Sequence, residues 1–389
     1  MRHFSLIIAS STLALSAAAQ SGAPIEAELD VTTAFVIAPI RDDDGLAETE
    51  TVLGEIALSG KAEKVLENGV RIRGRMDLRL QRDNKARPGS TGGFGIGSAP
   101  TGAFSGLSSG APIGESDTRV RLETAYLQVD GGYGEVRIGK DQGVAARFHE
   151  GSENVLTYAR LDSALLDPSG LSTVRTRHDL TGPSLKVSYA TPRILGLRAG
   201  VSYTPKTNAD GLDRRANFGT GVFAPEVENA LELALNGTRK FRESGVRIDA
   251  ALAWSTADVS DRAGVAPYGV VETLSTGARI EQGDWSIGGS WLSSDNGLPN
   301  ADYRAWSTGV SREINDTTLS LNYGEASDDG ARIDTSSWQL GAGRDFGKDT
   351  NIALSYNFDE VEAPIGTSRS QGIVVEITLS TEILKFTGN

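Results

Sequence analysis

The stretch Val70–Gln81, VRIRGRMDLRLQ, carries Arg71, Arg73, Arg75, Asp77, Arg79 and Gln81 at its odd positions. Its even positions are Val70, Ile72, Gly74, Met76, Leu78 and Leu80. A strand points successive side chains to opposite faces, so one face is wholly charged or polar and the other has no charge. A helix would scatter the same arginines around its circumference. In a sheet with one solvated face, the charged side meets bulk water and the other side a core. In a membrane barrel it walls a water-filled lumen, with the apolar side against lipid. This strand alone leaves both readings open.

Upstream, Arg2 and His3 precede an apolar run from Phe4 to Leu15 and then Ser16-Ala17-Ala18-Ala19-Gln20. A basic start, a short apolar run and a small-residue site read as a secretory signal peptide over residues 1–19. The mature protein is then expected to begin at Gln20. Beyond that run no apolar stretch is long enough for a helical span. A mean hydropathy of -0.23 is ordinary for a soluble protein, but barrel strands dilute their lipid-facing residues with lumen residues and turns. There is no Cys, so stability has to come from a source other than disulfides. A net charge of -13 argues against nucleic acid as a partner, because phosphate contacts need a basic surface.

Alternation recurs along the chain. Ala27, Leu29, Val31, Thr33 and Phe35 oppose Glu26, Glu28, Asp30 and Thr32, and Asn68-Gly69 is a short-turn signal leading into the arginine strand. Val120, Leu122, Thr124 and Tyr126 read as opposite Arg119, Arg121 and Glu123. Two segments break the rhythm. Residues 82–117 are rich in Gly, Ser, Ala and Pro, and their glycines lack the strand-to-helix setting of a phosphate loop. Residues 141–183 are irregular, with a helical turn expected at Tyr158–Leu166. An ordinary compact domain seldom keeps so long an insertion unless it is functional. From residue 185 onward, strands pair through short turns, and longer loops are expected between the pairs. The last strand is expected over Gly372–Ser380, with alternation breaking after Leu379. About sixteen strands of roughly ten residues, with short and long turns alternating, point to an all-β fold: a closed antiparallel transmembrane β-barrel.

Four motifs, in order, are Glu123-Thr124-Ala125-Tyr126-Leu127, Gly134-Glu135-Val136-Arg137-Ile138-Gly139-Lys140, the run from Leu185 to Pro192, and the run from Leu197 to Pro205. With the irregular insertion between the second and third, the chain resembles the general diffusion porins of Gram-negative bacteria. The resemblance covers nearly the whole mature chain. It implies an outer-membrane homotrimer in contact with lipid and lipopolysaccharide, passing small hydrophilic solutes and ions. It also implies that residues 141–183 fold inward as a constriction loop and that 82–117 serve as a latch on a neighbouring subunit. The chain departs from the family at its end, where Phe386 is followed by Thr387-Gly388-Asn389 instead of closing the sequence.

A diffusion channel needs a polar lumen and charges across a constriction, and no reaction chemistry. The family sets wall arginines against acids on the inserted loop. The matching positions are Arg71, Arg73, Arg75, Arg119 and Arg121 on the wall, and Glu150, Glu153, Asp162 and Asp167 on the loop. His149 and His178 lie far apart without ligand spacing, so no metal, cofactor or catalytic residue is assigned. Asp42-Asp43-Asp44 and Asp328-Asp329 could hold a divalent cation, although such runs are more often solvated. Tyr126, Tyr189, Tyr203, Trp254, Trp285, Trp291, Tyr323 and Phe358 read as interfacial girdles. Two other readings remain at this point, a substrate-specific channel and a non-conducting structural or adhesive surface barrel.

Overall fold

The computed structural model describes residues 24–42, 49–84, 100–107, 118–207, 225–261, 264, 266–364 and 366–388. The expected signal peptide and most of residues 82–117 lie outside these. β1 spans Ile25–Ile37, β2 Ile40–Asp42, β3 Val52–Val65 and β4 Arg71–Arg82. β5 is Thr118–Gly131, β6 Gly134–Asp141, β7 Ser184–Ala190 and β8 Leu197–Lys206. β9 is Pro225–Lys240, β10 Arg247–Asp261, β11 Val270–Gln282 and β12 Trp285–Ser294. β13 is Tyr303–Ile314, β14 Thr317–Asp328, β15 Ile333–Phe346, β16 Thr350–Ala363 and β17 Gly366–Gly388. A single short helix, α1, covers Val144–Arg147 among the described residues.

Each wall strand pairs antiparallel with its neighbour, and β17 returns to β1, which also pairs with β3. β2 adds only three residue pairs to the outer part of β17, so the wall has sixteen strands. Closure satisfies every edge, the condition for a sheet to stand in hydrocarbon. The two faces of β4 separate as its alternation requires. Met76 is 52% exposed on the outside, while Gln81 and Asp77 are 1% and 8% exposed on the inside.

At one end of the barrel the turns are tight. Gly69 adopts a positive φ of 80°, and Val70 N–H donates to Asn68 Oδ1 at 3.1 Å. Asn315 and Asp316 both have positive φ, the geometry that matches the twist of a two-residue hairpin. The expected long connections hold for most of the opposite end but not all of it. β14 and β15 are joined by residues 329–332, and β16 and β17 by residues 364–365. β17 begins at Gly366, six residues before the expected start of the last strand at Gly372.

Two bulges change the sequence reading. Asp77 pairs with Thr124 and Leu78 with Leu122, so Glu123 is an extra residue in β5. The pleat therefore shifts by one, and Thr124 and Tyr126 face the lumen, not lipid. Tyr126 is no girdle residue, since its ring lies 4.7 Å under the Arg137 guanidinium. In β17, Leu384 pairs with Leu29 and Glu382 with Asp30, leaving Ile383 extra. That bulge is why alternation breaks after Leu379. The strand continues to Gly388, and Phe386 returns to the outward register beside Ala27.

The segment between β6 and β7 enters the lumen. Its helical turn lies at α1, not at Tyr158–Leu166, where no helix forms. The apolar core consequently sits inside the barrel, between this third loop and the wall. One cluster gathers Leu161, Leu171 and Val174 against Leu292, Tyr303 and Ile333. A second gathers Val155, Leu156, Tyr158 and Leu166 against Ala34, Val36, Leu53, Ala353 and Val374.

Candidate functional site

The third loop is fastened around the inner wall by named contacts. Asn236 of β9 reaches Glu150, and Asn322 of β14 donates to the Glu153 carbonyl at 2.9 Å. Gln339 of β15 donates to the Ala159 carbonyl at 3.0 Å and accepts from Leu161 N–H. The fully buried Glu376 of β17 accepts the backbone N–H groups of Thr157, Tyr158 and Ala159 at 2.8, 2.9 and 3.1 Å. On β4, Gln81 donates to the Leu165 carbonyl at 3.1 Å, and Asp83 next to it accepts Asp167 N–H at 2.9 Å. The return limb is held by Tyr303, whose hydroxyl donates to Thr173 O at 2.7 Å and accepts Arg175 N–H at 2.8 Å. Further on, the ring nitrogens of His178 lie 2.9 and 2.7 Å from Ser275 and Ser255.

The loop's bed is made of glycine. Gly277, Gly288, Gly309, Gly324, Gly341 and Gly343 sit on β11–β15 beneath loop atoms. A methyl group on Gly324 would stand 2.7 Å from Leu161 and 3.1 Å from Val174. Only a missing side chain lets the loop lie this close.

The wall arginines divide by height. Arg71 and Arg73 stand near the tight-turn end and pair with Glu63 of β3 at 3.0 and 2.6 Å. Arg75 pairs with Asp77 at 2.9 Å, and Asp77 is also bonded by Ser59 and Thr124. At about 3.3 Å per residue, Arg71 lies roughly 26 Å along the strand from Arg79. Arg79 faces Arg121 directly across β4 and β5 and lies 3.6 Å from buried Glu55. Arg119 contacts Gln81 at 3.2 Å and Asp83 at 3.4 Å, the two side chains that hold Leu165 and Asp167. Arg79, Arg119 and Arg121 are therefore the arginines at the level of the loop. Arg79 lies within the Val70–Gln81 stretch, but no sequence motif singles it out.

The loop acids are dispersed. Glu150 lies 3.8 Å from Arg279 of β11. Glu153 accepts from Ser311 of β13. Asp162 is 2.7 Å from Arg160 and accepts from Thr176 and Ser307. Asp167 accepts Ser169 Oγ and the N–H groups of Gly170 and Ser172 at 2.9, 2.9 and 3.0 Å, which folds the loop onto itself. Of the four, only Asp167 lies beside the arginine wall, through Asp83. Burial raises the Glu150 carboxyl above the usual range against the pull of Arg279. Burial pushes His149 down to about 4. Below the loop, Glu135 is bracketed by Arg137 at 2.8 Å, Arg198 at 3.0 Å and Arg147.

On the outer face, Trp306 and Tyr323 rings meet at 5.4 Å, and Tyr323 and Trp338 at 4.4 Å. Trp291 pairs with Trp306, and Trp338 with Phe358, so an aromatic belt crosses β12–β16. The outward positions of β3, β4 and β5 carry no aromatic residue. Among the described residues there is no cluster of His, Asp and Glu arranged for a metal ion.

No curated protein sequence matches the chain. Among solved structures it is similar to the anion-selective porin from Comamonas acidovorans, with a TM-score of 0.56 at 13% identity over 93% of this chain and 100% of that one. It is also similar to Salmonella typhi OmpF in complex with daunomycin, with a TM-score of 0.59 at 13% identity over 91% and 97%. A third likeness, to Pseudomonas putida OprB, has a TM-score of 0.59 at 10% identity over 92% and 94%. The model of the Gram-negative porin family matches residues 5–364. A closed sixteen-stranded wall, a lumen narrowed by an inserted loop and this match together establish that the chain belongs to the Gram-negative porins, outer-membrane channels for the passive diffusion of small solutes.

Proposed function

We propose that passage is governed by a slot between the third loop and the arginine wall of β4 and β5, and that the slot favours small anions. The observation that carries this is the pairing of Arg79 with Arg121 on the lumen face, beside the Asp83 and Gln81 contacts that seat the loop. Arg75 and Arg119 extend this field toward the two mouths. Like charges directly opposite across strands are destabilising, and a water-filled lumen with Glu55 alongside reduces that cost. Glu150, Glu153 and Asp162 are engaged with the wall of β9–β13 or with the loop's own arginine, so they oppose the wall field only weakly. Arg71 and Arg73 act as mouth charges partly neutralised by Glu63.

The assembled form is a homotrimer whose subunits meet through the outward faces of β3–β5. Lipid contact favours interfacial aromatics, and that sector has none. The belt of Trp291, Trp306 and Trp338 faces lipid and lipopolysaccharide. The mass of detergent-solubilised protein tests the trimer. Salt-gradient reversal potentials in planar bilayers test the slot. Arg79→Gln with Arg121→Gln is expected to move the reversal potential toward cation preference, and an unmoved potential overturns the assignment.

A further inference from the structure

Residues 100–107 belong to the segment expected to reach a neighbouring subunit, yet they turn into the mouth of their own barrel. Phe104 and Ser105 are fully buried and Leu107 is 1% exposed. Phe104 joins the cluster formed by the third loop and the outer ends of β12–β15. The turn is closed by Gly102 N–H on Leu107 O and Gly106 N–H on Gly102 O, both at 2.9 Å.

Buried Asn296 makes most of the contacts that receive this turn. Asn296 O accepts Ala103 N–H at 3.0 Å, and Asn296 Oδ1 accepts the N–H groups of Phe104 and Ser105 at 3.3 and 3.0 Å. Asn296 Nδ2 in turn donates to Ala301 O at 2.8 Å and Asp328 Oδ2 at 3.0 Å. Asn296 holds a positive φ of 55°, a conformation asparagine tolerates better than most residues. Gly102 leaves no room for a side chain, because a methyl there would stand 2.6 Å from the Asn296 amide. Tyr268 adds a hydroxyl bond to Thr101 O at 2.7 Å.

What the turn presses on is specific. The Phe104 ring lies 6.2 Å from His178, edge to face, and 5.8 Å from Tyr303. Both take part in fastening the return limb of the third loop to the wall, Tyr303 from the wall at Thr173 and Arg175, and His178 from the loop at Ser255 and Ser275. Aromatic contacts of this kind contribute about 0.5–1.5 kcal/mol beyond their burial.

We propose that Thr101–Leu107 is an internal strap that positions the constriction loop, so that two loops and not one set the width of this channel. Phe104 is a positioning residue. It acts on the pore through His178 and Tyr303. The proposal rests on the reading of residues 141–183 as the constriction.

Two measurements test it. In planar bilayers and solute-swelling assays, Phe104→Ala is expected to raise single-channel conductance and the upper size of permeant sugars. Its heat-modifiable gel shift should stay that of a closed barrel, and Phe104→Leu should restore the wild-type limits. Because the chain has no cysteine, Ser105→Cys reports the strap directly. Folded protein is expected to resist a membrane-impermeant maleimide, and adding Asn296→Ala should make it react. Rapid labelling of Ser105→Cys alone overturns the proposal, as does a Phe104→Ala channel of unchanged conductance and size limit. If Phe104→Ala changes nothing while Arg79→Gln with Arg121→Gln shifts selectivity, the strap falls and the constriction stands. If neither Phe104→Ala nor the double arginine variant changes anything, the constriction reading falls as well.

Discussion

Opposite the arginines of β4 and β5 in the ring of strands, β11–β15 turn Gly277, Ser290, Gly309, Gly324 and Gly341 to the lumen. Both halves follow the same period of two, and both put small or charged groups where lipid would reject them. They differ in what covers them. The glycine half is covered by the loop, which lies on it closely enough that a Cβ would collide. The arginine half meets the loop at the outer end of β4, where hydrogen bonds from Gln81 and Asp83 are available. A channel of this kind needs one wall to be a bed and the other to be a field. Placing both functions on one wall would bury the charges beneath the loop at a cost of several kcal/mol each.

That division can be broken most severely from the bed. Gly324→Val forces Leu161 and Val174 away, an overpacking cost of ~3 kcal/mol. The loop is expected to lift, giving large, noisy conductance steps while the barrel still shows its gel shift. Quiet wild-type steps from that variant would mean the loop is held elsewhere. The field is sharpened by a graded comparison. Arg79→Gln with Arg121→Gln should move the reversal potential clearly, whereas Arg71→Gln with Arg73→Gln should move it less. The latter pair is partly neutralised by Glu63 and lies roughly 20–26 Å along the strand from Arg79, beyond a Debye length of about 10 Å at 0.1 M salt. Equal shifts would show that the whole lumen, not the loop level, sets selectivity.

The smallest effect is in pH. His149 is held neutral by burial, with its pKa pushed down to about 4 from an ordinary value of about 6.5. A lifted loop binds a proton there between those values and a seated loop does not, so docking is fully stable above pH 6.5 and weakens as pH falls toward 4. Glu150, raised by burial, works in the opposite direction, since its protonation favours the seated loop. Channel noise rising between pH 6.5 and 4 in the wild type, and flatter in His149→Gln, is the expected pattern. Identical pH profiles for the two would remove His149 from the account.

The sequence made the arginine half legible and left the glycine half unread. Alternating charge against Met76, Leu78 and Leu80 marks a strand with one polar and one apolar face, and the rest of the chain decided that lipid covers the apolar one. Gly309, Gly324 and Gly341 have several, because glycine marks turns and bulges as often as close packing. The same ambiguity hid Phe104, which sits in a glycine-rich run that looks like any exposed loop. The four loop acids were chosen by residue type, yet the partners that fix them come from strands as distant as β13, and no local pattern carries that information. Arg79 shows the opposite failure, since its face was correctly read and its height was not.

The bulge at Glu123 has a consequence for how such a wall can change. A strand between lipid and water is read in a frame of two, and one extra residue acts as a frameshift for everything beyond it. Tyr126 and Gln128 see water only because that shift has already occurred. Removing Glu123 would erase the bulge and leave the present frame in place, with Leu122 still outward opposite Leu78 and Thr124 and Tyr126 still inward opposite Asp77 and Arg75. Walls of this type therefore accept length changes in pairs, or at a bulge that can absorb one. Elsewhere a single inserted residue rewrites a whole strand.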